Sequence, residues 1–104
     1  SRQKIKDIYL LKQLTWPDAS PIIVLNRKAG SPERQAFEQK LGISSKRYAL
    51  YLARMHYKGL PLPLIQDSRQ ATLRFVKKVP GAIAYIEGTL ANQNEQVKVL
   101  GYLE

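Results

Sequence analysis

The stretch Ile22-Ile23-Val24-Leu25-Asn26-Arg27-Lys28-Ala29-Gly30-Ser31-Pro32-Glu33-Arg34 decides the fold. Ile22 to Leu25 is a short β-branched run and reads as a buried strand. Asn26 to Gly30 is a polar loop. Ser31 is a good helix N-cap, Pro32 suits the first helical position, and Glu33 suits the positive end of the helix dipole. Strand, loop and capped helix in that order are the unit from which α/β domains are built.

Outward from this unit the same alternation continues. Upstream, Ile5, Ile8 and Tyr9 fall at i, i+3 and i+4, which predicts an amphipathic helix over residues 2–12. Trp16-Pro17-Asp18-Ala19-Ser20-Pro21 is a turn-rich loop. Downstream, Ala36, Phe37 and Leu41 form the expected buried stripe of the helix that Ser31 opens, and Gly42 ends it. Ser44-Ser45 caps a third helix with Tyr48, Leu52 and Met55 inward and Gly59 as its terminator. Leu60 to Leu64 is extended and broken by proline. Asp67 or Ser68 caps a fourth helix with Ala71, Thr72, Phe75, Val76 and Val79 on one face, stopped by Pro80-Gly81. Ala82 to Ile86 reads as a strand, Thr89 to Gln96 as a polar loop, and Val97 to Leu103 as a last strand. The expected architecture is α/β: a small mixed or partly parallel sheet flanked by about four helices. A strand followed by helices and a strand in one sheet needs a crossover, so at least one parallel pair is expected.

The 104 residues are one domain by size, and 44% hydrophobic with 24% charged residues is ordinary globular composition. Lys and Arg number 17 against 8 Asp and Glu, a net charge of +9. Such a field attracts nucleic acid, acidic lipid, anionic polymers or small oxyanions, although the basic residues are spread along the chain and form no block. With no cysteine, disulfides, thiolate metal sites and cysteine nucleophiles are excluded. No stretch approaches the length of a membrane span. The opening Ser-Arg-Gln-Lys looks like a mature start from which a signal peptide has been removed.

The parts of an enzyme are missing. His56 is the sole histidine, the carboxylates show no paired spacing, Asp67 is most simply a helix cap, and no nucleotide loop, zinc pattern or Ser-His-Asp arrangement is present. The reading is therefore non-enzymatic, with no metal and no cofactor. One constellation points to binding. A helix N-terminus that follows a strand favours anions; Ser31 can add a hydroxyl donor, Arg27 a bidentate guanidinium and Arg34 an accessory charge. The plainer reading of the same residues is a capped helix with solvated basic neighbours. Pro32 removes one N–H, and Glu33 places a carboxylate beside any bound anion. Tyr48, Tyr51, Tyr57 and Trp16 near basic residues raise single-stranded nucleic acid as a partner. Tyr48 on the apolar face and Trp16 beside a turn fit structural roles better.

Three segments together carry a family resemblance. Lys6-Asp7-Ile8-Tyr9-Leu10-Leu11-Lys12 with Thr15-Trp16-Pro17-Asp18 and Ser20-Pro21-Ile22, then Arg27 through Phe37, then Val79-Pro80-Gly81-Ala82-Ile83-Ala84-Tyr85-Ile86, resemble in order and spacing the phosphate-type periplasmic solute-binding proteins of ABC transporters. The likeness covers roughly residues 4–90 and is to the second of the two lobes. It implies a single domain over residues 1–104, folded like one lobe of a type II periplasmic binding protein and located in a bacterial periplasm. It further implies that Arg27 and Ser31 contact phosphate or a similar oxyanion at the helix N-terminus after Gly30. Two family positions that usually hold glycine and threonine are Pro32 and Glu33 here, and the usual second glycine of the last segment is Ala84. The partners implied are the oxyanion and a second lobe, an envelope protein or a second copy. The alternative is an envelope interaction module whose ligand site has decayed.

Overall fold

The computed structural model describes residues 2–86. The element order is α1 (Arg2–Tyr9), β1 (Ile23–Arg27), α2 (Pro32–Leu41), α3 (Ser45–Tyr57), β2 (Leu64–Gln66), α4 (Arg69–Lys78) and β3 (Ala82–Ile83). The strands form a three-stranded sheet in the order β2-β1-β3, and both pairings are parallel. The domain is α/β as its sequence implies, with the described part of the sheet fully parallel. The strand expected over Val97 to Leu103 and the loop before it lie outside the described residues.

Each helix boundary has a local cause. The helix expected over residues 2–12 ends at Tyr9, because Lys12 N–H reaches back to Asp7 O (2.8 Å) and Leu11 N–H to Ile8 O (3.1 Å). This is a Schellman closure, and it puts Leu11 at φ 60 without the usual glycine. Left-handed backbone costs a non-glycine residue about 1–2 kcal/mol, and burial of the Leu11 side chain offsets it. Ser31, Ser44 and Ser68 cap α2, α3 and α4 by accepting from the backbone N–H of Arg34, Arg47 and Ala71. Gly42 closes α2 in the left-handed conformation.

β1 runs two residues further than the apolar pattern implies. Asn26 and Arg27 are weak strand formers, but they pair with Ile65 and Gln66 of β2. β3 is shorter than expected, with strand structure at Ala82 and Ile83 only. β2 is an edge strand whose Leu64 and Ile65 are both exposed.

The core gathers Ile8, Tyr9, Val24, Phe37, Leu41 and Ile83, with Ile5, Trp16, Ile22, Ile43 and Tyr85 packed against it. Phe37 stacks on Tyr85 with ring centroids 3.8 Å apart, and Tyr9 meets Phe37 edge-on at 4.7 Å. The inward face of α2 differs from the expected apolar stripe. Phe37 and Leu41 are buried, but Ala36 is exposed, and Arg34 and Glu38 are buried in its place. The two charges sit one turn apart and neutralise each other, with Arg34 Nε 3.1 Å from Glu38 Oε2. On α4, Thr72 and Leu73 are the buried residues, with Phe75, Val76 and Val79 half-buried.

Trp16 donates its indole N–H to Gly81 O (2.9 Å), which fixes the loop before β1 to the turn before β3. Gly81 has φ +84, and a Cβ there would lie 2.7 Å from Pro21 O and 3.3 Å from Trp16 Nε1. Gly59 has a similar φ of +90 but open space around the missing Cβ. Both Gly59→Ala and Gly81→Ala should lose roughly 1–2 kcal/mol of stability, because each introduces left-handed strain. Gly81→Ala should lose about 1–3 kcal/mol more through overpacking. Urea denaturation of the two variants checks this; equal losses would contradict the close approach at Gly81.

Candidate functional site

The carboxyl ends of parallel strands are where open α/β sheets bind ligands, at the point where the strand order reverses. In this sheet that point is β1. The chain leaves it toward β2 on one side and later crosses to β3 on the other. β1 ends on Asn26 and Arg27, so the sequence delivers an amide and a guanidinium to the favoured location.

Arg27 is 8% exposed. Its Nε donates to Gln66 O at the end of β2 (3.1 Å), and its Nη2 lies 3.8 Å from Glu33 Oε2 in the first turn of α2. The guanidinium thus lies between the end of the sheet and the start of a helix. Its Nη1 is buried and has no hydrogen-bond partner among the described residues. A buried donor without a partner costs free energy and is uncommon in folded proteins.

The loop after Arg27 is shaped by a turn. Ser31 N–H donates to Lys28 O (3.0 Å), and Gly30 takes φ +88 at the exposed tip. Ser31 Oγ accepts from Arg34 N–H (3.3 Å) as the N-cap, which leaves its hydroxyl proton to donate outward. The Glu33 N–H belongs to the first turn and has no intrahelical acceptor. Pro32 contributes no donor. Glu33 is half-buried, with its carboxylate beside Arg27.

The four residues expected at the site therefore divide. Arg27, Gly30 and Ser31 converge on the start of α2. Arg34 turns inward: its Nη1 donates to Arg27 O (3.1 Å), its Nε pairs with Glu38, and its guanidinium lies 5.2 Å from the centre of the Tyr48 ring. Ser45 donates to the other oxygen of Glu38. Arg34 so holds the backbone of Arg27 from beneath.

Beneath Arg27 lies a hydrogen-bonded group that the sequence pattern conceals, because Asn26 reads as a loop residue. Asn26 Oδ1 accepts from the Tyr85 hydroxyl and from Arg27 N–H (2.8 Å), and its Nδ2 donates to Tyr48 Oη (3.2 Å). Tyr85 Oη also accepts from Arg27 N–H (3.2 Å). Tyr48 donates to Tyr9 O (3.0 Å), and Tyr9 donates to Leu25 O (2.7 Å). A signal was available in hindsight: Asn26 directly continues a four-residue apolar run and precedes an arginine, a poor composition for a solvated turn.

The aromatic residues weighed as a stacking surface are engaged elsewhere. Tyr48 is buried, Trp16 is bonded to Gly81, and Tyr51 donates to Leu10 O (2.5 Å). Tyr57 alone of the four is freely exposed. His56 is exposed in the last turn of α3, and Asp67 is exposed and precedes the cap Ser68. No group of three or more metal-ligating side chains is found among the described residues.

Comparison with protein-family models, with curated protein sequences and with solved structures returned no match.

Burial pushes the Tyr85 phenol up to about 12, against a partial opposing effect of its hydrogen bond from the Arg27 N–H. Burial raises Tyr48 and Tyr9 as well, and for Tyr9 the neighbouring Tyr85 and Tyr48 add to the effect. Below pH 10.0, the ordinary tyrosine value, folded and unfolded chains both keep these protons, and the stability they contribute is whole. Above it the unfolded chain releases protons that the folded chain retains, so stability falls as pH rises from 10.0 through about 12. The urea midpoint of the wild type should drop across that window, and the drop should be shallower in Tyr85→Phe. Identical slopes would contradict the burial of this phenol.

Proposed function

We propose that this chain is a non-enzymatic, solute-binding-protein-like lobe of the phosphate type that acts in a bacterial periplasm and holds an oxyanion weakly at the N-terminus of α2. The observation that carries this reading is Arg27: a buried guanidinium at the carboxyl end of the central strand, with one nitrogen lacking a partner among the described residues and a capped helix start beside it. Phosphate or sulfate supplies the acceptors such a group needs, and a guanidinium binds them through two parallel hydrogen bonds. Ser31 adds its hydroxyl, and the turn at Gly30 lets the backbone come close. Arg34 acts through Arg27 by fixing its carbonyl.

Capture is non-covalent and weak for a single lobe, because an anion at one helix N-terminus keeps half its oxygens in water. Dissociation constants on the order of 0.1–10 mM are expected. A second lobe, an envelope protein or a second copy closing over the same face would tighten it. A second reading is favoured by one contact: Glu33 lies 3.8 Å from Arg27 and supplies part of the negative charge that a ligand would bring. On that reading the site has closed on itself and the domain is an interaction module of the envelope.

Titration with phosphate and with sulfate, followed by amide chemical shifts, separates the two. The oxyanion reading expects saturable shifts centred on Gly30, Ser31 and Glu33. Arg27→Ala should abolish them, and Glu33→Gln should tighten binding severalfold by removing the competing carboxylate. No change up to tens of millimolar in both wild type and Glu33→Gln would leave the interaction module.

A further inference from the structure

The solvent face of α3 has a composition that neither the core nor the anion site explains. Tyr48, Leu52 and Met55 turn α3 toward the domain, and Tyr51 ties it to Leu10 O. On the opposite arc stand Lys46, Arg47, Leu50, Ala53, Arg54 and Tyr57, all exposed. Leu50 is 60% exposed and Tyr57 92% exposed, two turns apart on one line. Lys46 and Arg47 stand before Leu50, and Arg54 stands between Leu50 and Tyr57. α3 contains no acidic residue. Across Gln39 to Ile86 the sole carboxylate is Asp67, which follows β2.

An exposed helix face that only had to be solvated would carry mixed charge without bare leucine. Here apolar and cationic side chains alternate on one arc, and Ala53 lets a surface come close. From this we infer that the outer face of α3 seats the domain on an anionic lipid surface. Lys46, Arg47 and Arg54 meet the headgroup phosphates, and Leu50 and Tyr57 enter the boundary between headgroups and acyl chains. Tyrosine is favoured at that depth, where its ring is sheltered and its hydroxyl stays wet. The apolar component is shallow, with two large residues on a convex face. That suits an interfacial seat better than a protein groove, which takes apolar anchors at i, i+3 or i+4, and i+7. It suits nucleic acid less well, because Leu50 gains nothing from phosphate and Tyr57 is the one freely exposed ring on this helix face. The helix is 13 residues long, or about 20 Å at 1.5 Å per residue, enough for all five contacts to lie along one surface. The association is peripheral, and no helix among the described residues is long and apolar enough to cross a membrane. It is also independent of the oxyanion reading, since it uses none of the residues at the start of α2.

Vesicle flotation with the full chain tests it. Vesicles of phosphatidylglycerol and phosphatidylcholine in equal parts should bind the wild type at low salt, and phosphatidylcholine alone should not. Arg47→Glu/Arg54→Glu should lower binding at least about tenfold, given roughly fivefold per cation near the surface. Lys77→Glu/Lys78→Glu on α4 alters net charge equally and should lower it far less. Leu50→Ser/Tyr57→Ser leaves the charge unchanged and should weaken binding and make the remainder fully salt-sensitive. All the substituted residues are exposed, and an unchanged thermal melt confirms that each variant folds. No binding by the wild type, equal losses in the two charge variants, or no effect of the serine pair would each overturn the inference. Binding to a single-stranded oligonucleotide through these same residues, with none to vesicles, would assign the face to nucleic acid instead.

Discussion

Asn26 is the constraint around which the domain is organised. It sits in the central strand, is 2% exposed, and carries an amide that water cannot reach. A buried amide left without partners costs a few kcal/mol, so both of its ends must be satisfied by the protein. Tyr85 and Tyr48 do this, one following β3 and the other on α3. Tyr48 then reaches the end of α1 through Tyr9 O, and Tyr9 reaches back to β1 through Leu25 O. Four separate parts of the chain are tied through one amide. The tyrosines suit this because each offers a large apolar ring to the core and a hydroxyl that both donates and accepts.

The same arrangement explains why two arginines can be buried within eight residues of each other. Arg34 is well provided for: Glu38 one turn away balances its charge, Ser45 takes up the other carboxylate oxygen, and the carbonyl of Arg27 accepts from its Nη1. Removing one member of such a pair leaves the other as an uncompensated buried charge. Arg27 is the contrasting case. Its backbone is held on both sides, by Gln66 through the strand pairing and by the Asn26 and Tyr85 oxygens through its N–H, while among the described residues its guanidinium meets the Gln66 carbonyl and, at 3.8 Å, the Glu33 carboxylate. The scaffold thus fixes the position of this cation and leaves its Nη1 without an acceptor among the described residues.

Local rules made much of the fold legible. Ser31, Pro32 and Gly42 bound α2 as capping chemistry requires, Ser44 opens α3, and Pro80-Gly81 closes α4, because these effects act within one helical turn. The α/β class and the parallel pairing followed from the order of elements. What escaped was tertiary in origin. Asn26 and Arg27 have polar side chains and were assigned to a loop, but strand pairing with Ile65 and Gln66 overrides their propensity. Arg34 and Glu38 look like a solvated pair on a helix face, and only the three-dimensional arrangement shows that they replace Ala36 on the inner side. At the candidate site, the placement of Arg27, Gly30 and Ser31 around the start of α2 is approachable from spacing. The inward turn of Arg34 is not, since spacing alone does not give the direction of a long side chain.

The strand order bears on how the domain is made. β1 is central, yet both of its partners come later in the chain: Leu64 to Gln66 on one side, and Ala82 and Ile83 on the other. Among the described strands no two neighbours are joined by a hairpin, so this part of the sheet has no local nucleus. Parallel pairings of this kind form slowly because the intervening chain must be ordered first. On a ribosome adding roughly 5–20 residues per second, Ile23, Val24 and Leu25 would emerge well before the strand that covers either edge. During that interval the described elements available to shelter it are α1, α2 and α3, all of which precede β2 in the chain. The contacts of Tyr9 and Phe37 with each other and with the core around Val24 therefore serve the nascent chain before they serve the finished sheet.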